Sequence, residues 1–340
     1  MTQTSVDIHA IISQLKTQFN QDRAHDLQVI RDYCETLTDS PEDQAILAAV
    51  ARFSLTEYPD PEAIQKAEKL GQAIKQFDAR VTELQKMAAA KKFEEAAAGF
   101  AEILQDMDPI ETEDKRFLSF NHPFESILFQ ARNRDKRTVV QISNLPEILY
   151  YQYATILFEL KRFDEAREQL KKCLKLNPCN ARAYFELAEV EKASQNLEEV
   201  RRLTAEVHPY IYTRPQLAHY YRNQAFLANM DGKFRLAVAM VYVSLDYEEH
   251  AIARAQLNAL AKVKGTDLSR PKMEEIQKLI QDTDIQLGPN KDVYGIALEV
   301  GAKMRERNPD LARMCFIIAY DMTHYKPILR DLARLGVHPV

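Results

Sequence analysis

The stretch LYYQYATILFELKRFDEAREQLKKCLKLNPCN, residues 149–180, decides the fold. Four residues of its first half recur three and four positions apart and so share one helix face: Tyr150, Tyr153, Ala154 and Leu157. Four residues of its second half do the same: Ala166, Leu170, Cys173 and Leu174. A short turn must therefore join two antiparallel helices, and the small side chains of Ala154 and Ala166 let the two backbones approach closely.

These residues resemble the tetratricopeptide repeat, a unit of about 34 residues with an aromatic residue, a Leu–Gly pair, Tyr, Ala, Phe, Ala and Pro at fixed spacing. Tyr150 stands at the aromatic position, Ala154 at the glycine, Leu157 at the tyrosine, Ala166 at the first alanine and Pro178 at the proline. The resemblance implies an all-α fold, a right-handed α-solenoid of antiparallel helix pairs with roughly eight hairpins.

Further units follow less regularly. In the next unit Tyr184, Leu187 and Ala188 match the first helix, but Val200 and Thr204 replace the expected Ala and Phe. The unit after it matches again at Tyr221, Ala225, Ala228, Phe234, Ala237, Val241 and Ser244. Weaker second helices are predicted from Phe93, Ala96, Phe100 and Ile103 and, near the C-terminus, from Ala312, Phe316 and Ala319. Irregular end units are typical of repeat arrays, because their outer faces meet water.

The spacing predicts three parts: an N-terminal helical block at residues 1–109, an irregular segment at 110–146 and a repeat array at 147–340. The irregular segment is expected to hold a short helix near 123–132 and an extended piece at 138–142. It is a lateral insertion, a subdomain joint or a packed connector. This segment together with the repeats is similar to uncharacterised bacterial proteins of the same family, which implies a shared architecture only. Three helix starts carry capping residues before proline, at Ser40-Pro41, Asp60-Pro61 and Asn308-Pro309.

The composition and charge of the chain indicate which classes of protein it can belong to. Eight glycines in 340 residues and a net charge of −5 favour a folded helical chain without the basic surface that nucleic acid requires. No stretch approaches the about 20 apolar residues of a membrane span, and residues 1–19 lack a secretory signal pattern. Cys34, Cys173, Cys179 and Cys315 form no CxxC pair. We therefore expect a cytoplasmic protein that binds neither nucleic acid nor membrane.

Motifs for catalysis are absent from the sequence. It contains no phosphate loop, dinucleotide fingerprint, zinc-protease motif or nucleophile elbow, so we expect no enzyme and no cofactor or metal. Asp282-Thr283-Asp284 has the form of a metal-binding DxD, but it lies at the end of a charged helix, and we expect a solvated helix end instead. The basic run Arg132, Arg134, Lys136 and Arg137 is either a solvated loop or a contact for nucleic acid or an acidic partner.

The resemblance also implies a binding groove, because first-helix residues of this family line a concave face that holds a peptide. Carried onto the clearest units, the groove residues are Tyr151, Thr155, Phe158, Arg182, Phe185, Glu189, His219, Arg222, Phe226 and Asn229. Several of them are expected to form a row of exposed aromatic side chains with charged neighbours, which suits a protein or peptide ligand. The alternative is that Phe158 and Phe185 pack against adjacent helices.

The predicted function is a non-catalytic protein- or peptide-binding scaffold or adaptor. A clamp for the terminal carboxylate of chaperones is not expected, because Tyr151, Thr155 and Glu186 occupy the places of its basic and amide residues and only Arg222 conforms. The alternative from another class is a peptide-sensing regulatory receptor with a helical N-terminal output block. An enzyme with a site built from scattered residues is the third hypothesis.

Overall fold

The computed structural model describes residues 7–38, 40–59, 61–105, 107, 111–263 and 265–337. Within these residues the chain forms seventeen α-helices, one 3-10 turn and two short β-strands. The predicted all-α fold of helix pairs is confirmed. Among the described residues, no helix combines the length and the apolar character needed to cross a membrane.

The chain divides between Glu83 and Leu84 into two compact units. The first unit contains α1 (Ile8–Lys16), α2 (Arg23–Glu35), α3 (Pro41–Glu57) and most of α4 (Pro61–Ala89). Its core is small and is built from Leu15, Ile30, Ile46 and Val50. The N-cap predicted at Ser40 is confirmed, because its hydroxyl accepts the backbone N–H of Asp43 at 3.0 Å. Asp60 lies outside the described residues.

The second unit holds the remaining elements. They are α5 (Phe93–Leu104), β1 (Lys115–Leu118), α6 (Pro123–Arg132), β2 (Thr138–Gln141), α7 (Leu145–Glu159), α8 (Phe163–Leu176), α9 (Ala181–Ala193), α10 (Leu197–Val207), a 3-10 turn (His208–Tyr210), α11 (Arg214–Met230), α12 (Phe234–Tyr247), α13 (Ala251–Leu260), α14 (Met273–Ile280), α15 (Lys291–Met304), α16 (Pro309–Thr323) and α17 (Ile328–Arg334). Three hairpins, α7–α8, α9–α10 and α11–α12, follow one another, and neighbouring hairpins contact each other.

The same turn closes each of these hairpins and the one between α4 and α5. At each turn one residue adopts the left-handed conformation: Lys91, Lys161, Gln195 and Gly232, with φ of 59°, 59°, 60° and 71°. The next residue donates its backbone N–H to the carbonyl five residues earlier, at 2.8–2.9 Å. This bond supplies a hydrogen-bond partner to a carbonyl that would otherwise lack one at the end of the helix. The turns thus repeat more regularly than the sequence does.

The predicted apolar stripes are buried between the helices of each hairpin. In the first hairpin Tyr150, Leu157, Ala166 and Cys173 have no exposed surface, whereas Leu174 is only half-buried. Val200 and Thr204, which depart from the repeat pattern, are buried all the same. Burial at these two positions therefore does not depend on the residue types that the repeat pattern specifies.

The irregular segment packs into the second unit. The helix and extended piece predicted there are confirmed as α6 and β2, and β2 pairs in parallel with the unpredicted strand β1. The segment's apolar side chains share a core with the C-terminal helices: Leu118, Phe124, Leu128 and Phe129 on one side and Val293, Ala297, Phe316 and Ile328 on the other. The predicted three-part division of the chain stays a prediction.

Candidate peptide-binding groove

The ten residues predicted to line a groove all lie on α7, α9 and α11, the first helices of the three hairpins. These helices contact one another in turn, α7 with α9 and α9 with α11. We refer to the side of the three helices that carries these residues as the groove face. Its side chains fall into two groups, one between α7 and α9 and one between α9 and α11.

The first group centres on Tyr151 and Arg182. The Tyr151 hydroxyl donates to Glu186 Oε1 at 2.9 Å and accepts from Arg182 Nε at 2.8 Å. The guanidinium of Arg182 also lies over the Tyr151 ring, 4.3 Å from its centroid. Burial, followed by the charge of Glu186, raises the pKa of Tyr151, so the phenol stays neutral. Arg182 is exposed and covers the buried ring, which leaves one cationic edge on the groove face.

A cavity of about 550 Å³ opens beside this group. Three predicted groove residues line it, Tyr151, Thr155 and Arg182, together with Asn121 and Glu125 from the irregular segment. Thr155 turns its hydroxyl back to the Gln152 carbonyl at 2.8 Å. The irregular segment therefore borders the groove face at the end where α7 and α9 begin.

Two carboxylates are buried at this border, and neutral donors hold both. Glu125 Oε2 accepts the Asn121 backbone N–H at 2.9 Å and Asn177 Nδ2 at 2.8 Å. Glu147 accepts from Asn121 Nδ2 at 2.6 Å and from Asn180 Nδ2. Burial raises the pKa of Glu147, although the two asparagine bonds oppose that effect. This network ties the irregular segment to the starts of α7 and α9.

The second group centres on Glu189 of α9. Lys192 Nζ donates to Glu189 Oε1 at 2.6 Å and to Asn223 Oδ1 at 2.7 Å, and it lies 5.0 Å from the centroid of Phe226. His219 Nε2 is 3.5 Å from the same Glu189 oxygen. Burial alone would raise the pKa of Glu189, but hydrogen bonds and charges from His219 and Lys192 lower it to about 2. The carboxylate is thus ionised at neutral pH.

The remaining predicted residues differ in exposure. Arg222 is 6% exposed and donates to Glu248 Oε2 at 3.1 Å. Phe226 and Asn229 are half-buried and line a small cavity of about 170 Å³ between α11, α12 and α13. Phe158 is half-buried and packs on Phe163 of its own hairpin, with ring centroids 5.6 Å apart.

The expectation of a row of exposed aromatic side chains is wrong for Tyr151 and Phe185, which are 7% and 4% exposed. Phe185 packs against His219 of the adjacent first helix, the alternative that the sequence left open. The accessible part of the groove face consists of Arg182, which is exposed, and the half-buried Thr155, Phe158, Glu189, His219, Phe226 and Asn229. Whether these residues bind a ligand stays a prediction.

Sequence reasoning missed several residues of this face. Asn223, Glu248 and Gln256 complete the contacts of Lys192 and Arg222, and Gln256 Nε2 donates to the Arg222 carbonyl at 3.0 Å. Asn223 could have been identified in the sequence as a polar residue adjacent to the apolar stripe of α11. Glu248 and Gln256 lie beyond the repeat unit, so its spacing gave no signal for them.

The other two motifs are not on α7, α9 or α11. Asp282 and Asp284 are exposed and follow the end of α14. In the basic run, Arg137 forms a two-pronged ion pair with Asp135, through Nε at 2.9 Å and Nη2 at 2.6 Å to Oδ2. Within the described residues, no group of three or more His, Cys, Asp or Glu side chains is arranged to hold a metal ion.

Comparison with known proteins bears on the first hairpin. The family model described as tetratricopeptide repeat matches residues 147–190, which span most of α7, all of α8 and most of α9. The predicted repeat is thereby confirmed for this part of the chain. None of the curated proteins is significantly similar to the chain in sequence.

Proposed function

Starting from the tetratricopeptide repeat at residues 147–190, we propose that the chain is a non-catalytic scaffold or adaptor that binds a peptide segment of another protein along its groove face. Tetratricopeptide repeats generally bind proteins or peptides, and the proposal assigns that role to α7, α9 and α11. It also assigns the chain to the cytoplasm, where Cys34 and the three buried cysteines stay reduced.

One observation carries the proposal: two cation–aromatic pairs join successive first helices, Arg182 of α9 with Tyr151 of α7 and Lys192 of α9 with Phe226 of α11. Both cations are already held in place by tyrosine, carboxylate or amide partners. A ligand that meets preorganised side chains loses less conformational entropy on binding. Aromatic residues and arginine also contribute most of the energy in typical interfaces.

The groove face carries both charges, so its ligand is expected to be an extended segment of mixed polarity rather than a strongly acidic or basic one. Glu189 contributes an ionised carboxylate with its pKa at about 2, and Arg182 contributes a cation. An extended peptide can place a carbonyl or carboxylate on Arg182 and a backbone N–H or a basic side chain on Glu189.

The test is selection from a random peptide library with the purified full chain, followed by affinity measurement for the selected peptides. Arg182→Glu and Phe226→Ala should each weaken binding by at least about tenfold, equivalent to ~1.4 kcal/mol. The matched control is Lys171→Ala on α8, because this lysine is 56% exposed and lies on a second helix.

Loss of stability must be separated from loss of binding in this experiment. Arg182 is exposed, so its replacement should change thermal unfolding only slightly, whereas replacement of half-buried Phe226 should lower the melting temperature. Binding by both variants is therefore compared well below their unfolding transitions. Failure to enrich any peptide, or equal binding by Arg182→Glu and Lys171→Ala, would contradict the proposed site.

A second candidate function is the peptide-sensing regulator, and the separate compact unit that ends at Glu83 favours it. In that case a short peptide should raise the melting temperature of the chain, more so the tighter it binds, and folded proteins should have no effect. The scaffold also binds a peptide, so the two functions differ in whether peptide binding alters the first unit. Hydrogen exchange in α1, α2 and α3 that a bound peptide leaves unchanged would favour the scaffold.

A further inference from the structure

A cavity of about 400 Å³ is bounded by α10 with the 3-10 turn that follows it, by α11, and by the loop of residues 281–290 that joins α14 to α15. Each of these elements contributes side chains to its wall, among them Ala205, His208, Tyr220, Gln224, Asp284 and Asn290. None of the ten predicted groove residues lines it. A cavity of this size accommodates a small organic molecule.

This cavity is separate from the groove face, although α11 borders both. Tyr220 and Gln224 line the cavity, whereas Arg222 and Phe226 belong to the groove face. With 3.6 residues per turn, the second pair of side chains leaves the helix about 200° away from the first pair. A molecule in the cavity therefore does not compete with a peptide on the groove face.

Two buried tyrosines hold the loop against α11. The Tyr221 hydroxyl donates to the Gln286 carbonyl at 3.0 Å and accepts the backbone N–H of Gly288 at 2.7 Å. The Tyr220 hydroxyl accepts the Gln286 backbone N–H at 3.4 Å. Tyr221 has no exposed surface, and Tyr220 is 2% exposed. The loop wall is thus fixed before any ligand arrives, which lowers the entropic cost of binding.

His208 is a buried, neutral imidazole of this cavity. It is 4% exposed, and its ring centroid lies 4.9 Å from that of Tyr220. Asn290 Nδ2 is 3.2 Å from His208 Nδ1. Because an amide nitrogen only donates, Nδ1 accepts this bond and the proton of the neutral ring is on Nε2. Burial lowers the pKa of His208, and the Gly288 carbonyl opposes that effect only in part, so the ring is uncharged at pH 7.

The Nε2–H group of His208 is left without an acceptor. Within the described part of the chain, no atom forms a hydrogen bond of good geometry with the buried Nε2. A buried donor without a partner is unfavourable, and most such donors in folded proteins are paired. An oxygen atom of a bound molecule would supply the missing acceptor.

Two carboxylates of the cavity have no cation. Asp282 and Asp284 follow α14, and no described residue forms a hydrogen bond or an ion pair with either. Burial and, to a smaller extent, the charge of Asp284 raise the pKa of Tyr220, so this carboxylate lies near the tyrosine hydroxyl. The other aspartate of the cavity, Asp231, is already paired with Arg201 at 2.9 Å. Two negative charges therefore remain free.

These groups select a ligand that carries both an amine and an oxygen acceptor. A protonated amine suits Asp282 and Asp284, because ammonium groups form charge-assisted hydrogen bonds with carboxylates. A metal ion does not suit them, since the described residues contain no group of three ligating side chains. The exposed Lys233 lines the same cavity and is available to a ligand carboxylate. An α-amino acid has this combination of groups.

We propose that the cavity binds a free amino acid, with its ammonium group on Asp282 and Asp284 and a carboxylate oxygen on His208 Nε2. The proposal does not depend on peptide binding by the groove face. It gives a role to the DxD motif, to the unpaired donor of His208 and to the fixed loop.

Thermal melting of the full chain with each standard amino acid at about 10 mM tests the binding. At least one amino acid should raise the melting temperature, and titration calorimetry should give a dissociation constant below about 0.1 mM. The decarboxylated amine and the deaminated acid of the strongest ligand should each bind at least about tenfold more weakly, because each lacks one of the two recognised groups.

Asp284→Asn tests the ammonium contact. The variant should weaken binding of the amino acid by at least about tenfold, since it removes a charge that the ammonium group needs. Asp321→Asn is the matched control, because this aspartate of α16 is also exposed and does not line the cavity. Both substitutions are at exposed positions, so the melting temperatures without ligand should stay close to that of the wild type.

His208→Phe tests the oxygen contact. It keeps an aromatic ring beside Tyr220 but removes the Nε2 donor. The amino acid should bind at least about tenfold more weakly to this variant. The decarboxylated amine should bind as it does to the wild type, because it has no oxygen atom for His208. A general loss of the cavity's shape would weaken both ligands equally.

Three results would overturn the amino-acid site. They are a panel in which no amino acid raises the melting temperature, equal affinities of Asp284→Asn and Asp321→Asn, and equal weakening of the amino acid and the amine in His208→Phe. Peptide binding on the groove face should be unaffected by Asp284→Asn in all cases, so failure of this site is distinguishable from failure of the groove.

Discussion

Phe185 of α9 and His219 of α11 stack face to face, with ring centroids 4.2 Å apart and 9° between the ring planes. The contact joins the first helices of two consecutive hairpins. It buries Phe185 and brings His219 within 3.5 Å of a Glu189 carboxylate oxygen. The packing between repeats and the electrostatics of the groove face therefore share the same residues.

Acid should destabilise the chain through His219. Burial lowers the pKa of His219 below its ordinary value of 6.5, and Glu189 opposes this only in part. The unfolded chain therefore binds a proton on this imidazole at a higher pH than the folded chain does. The stability that neutral His219 contributes is present above pH 6.5 and is lost as the pH falls toward the lowered pKa of the folded chain. Between about pH 7.5 and pH 5.5, His219→Gln should lose less stability than the wild type in urea unfolding.

His122 and His208 contribute to the wild-type pH dependence with the same sign, because burial also lowers their pKa values. His219→Gln should therefore reduce the loss without abolishing it. A pH dependence of the urea midpoint identical to that of the wild type would contradict the buried, neutral His219.

Arg222 and Arg182 should differ in their effect on stability, although both were predicted as groove residues. Arg222 is 6% exposed and pairs with Glu248, so Arg222→Ala should cost about 3 kcal/mol of the free energy of unfolding. Arg182 is exposed, and Arg182→Ala should cost less than about 1 kcal/mol. Chemical denaturation of the two variants measures this difference, and equal costs would contradict the burial of Arg222.

The ion pair between Arg167 and Glu191 should stabilise the junction of the first two hairpins. Glu191 is 1% exposed and accepts from Arg167 Nε at 2.5 Å and Nη2 at 3.3 Å. Arg167→Met would leave the carboxylate buried without its cation, at a cost of about 3–5 kcal/mol.

The control for this ion pair is Arg202→Met on α10. The Arg202 side chain is 49% exposed and pairs with Glu199 and Glu206 on its own helix. Its loss should change the free energy of unfolding by less than about 1 kcal/mol. Similar effects of the two substitutions would show that the Arg167 pair is weaker than its burial implies.

Two glycines of α15 should respond in opposite directions to alanine. A Cβ on Gly301 would lie 3.1 Å from ring atoms of Phe316, which is 2% exposed. Gly301→Ala should therefore cost about 1–3 kcal/mol through overpacking. A Cβ on Gly295 meets nothing within 4 Å, so Gly295→Ala should stabilise the helix by about 0.5–1 kcal/mol. The melting temperatures of the two variants show directly whether each substitution lowers or raises the stability of the chain.

The sequence was sufficient wherever local rules decide the structure. The stripe of Tyr150, Ala154 and Leu157 and the caps at Ser40 and Asn308 depend on residues within one or two helical turns. Helix α6 was also predictable, because Pro123 and the apolar spacing after it define its start and its face.

The exposure of groove residues could not be predicted in the same way. Arg222 is buried because Glu248, 26 residues further on, returns to it. Phe185 is buried because the next first helix places His219 on it. Such contacts depend on how hairpins pack, which the repeat pattern leaves open. Strand β1 escaped prediction because its four residues gain their structure only from pairing with β2.

Hydrogen–deuterium exchange of the full chain, with and without a selected peptide, tests the groove most directly. A bound peptide should slow exchange in α9 and α11, and Arg182→Glu should abolish that protection at the same peptide concentration. The second helices α8 and α10 should be little affected. Protection confined to α8 and α10, or protection that Arg182→Glu leaves intact, would contradict a peptide bound along the groove face.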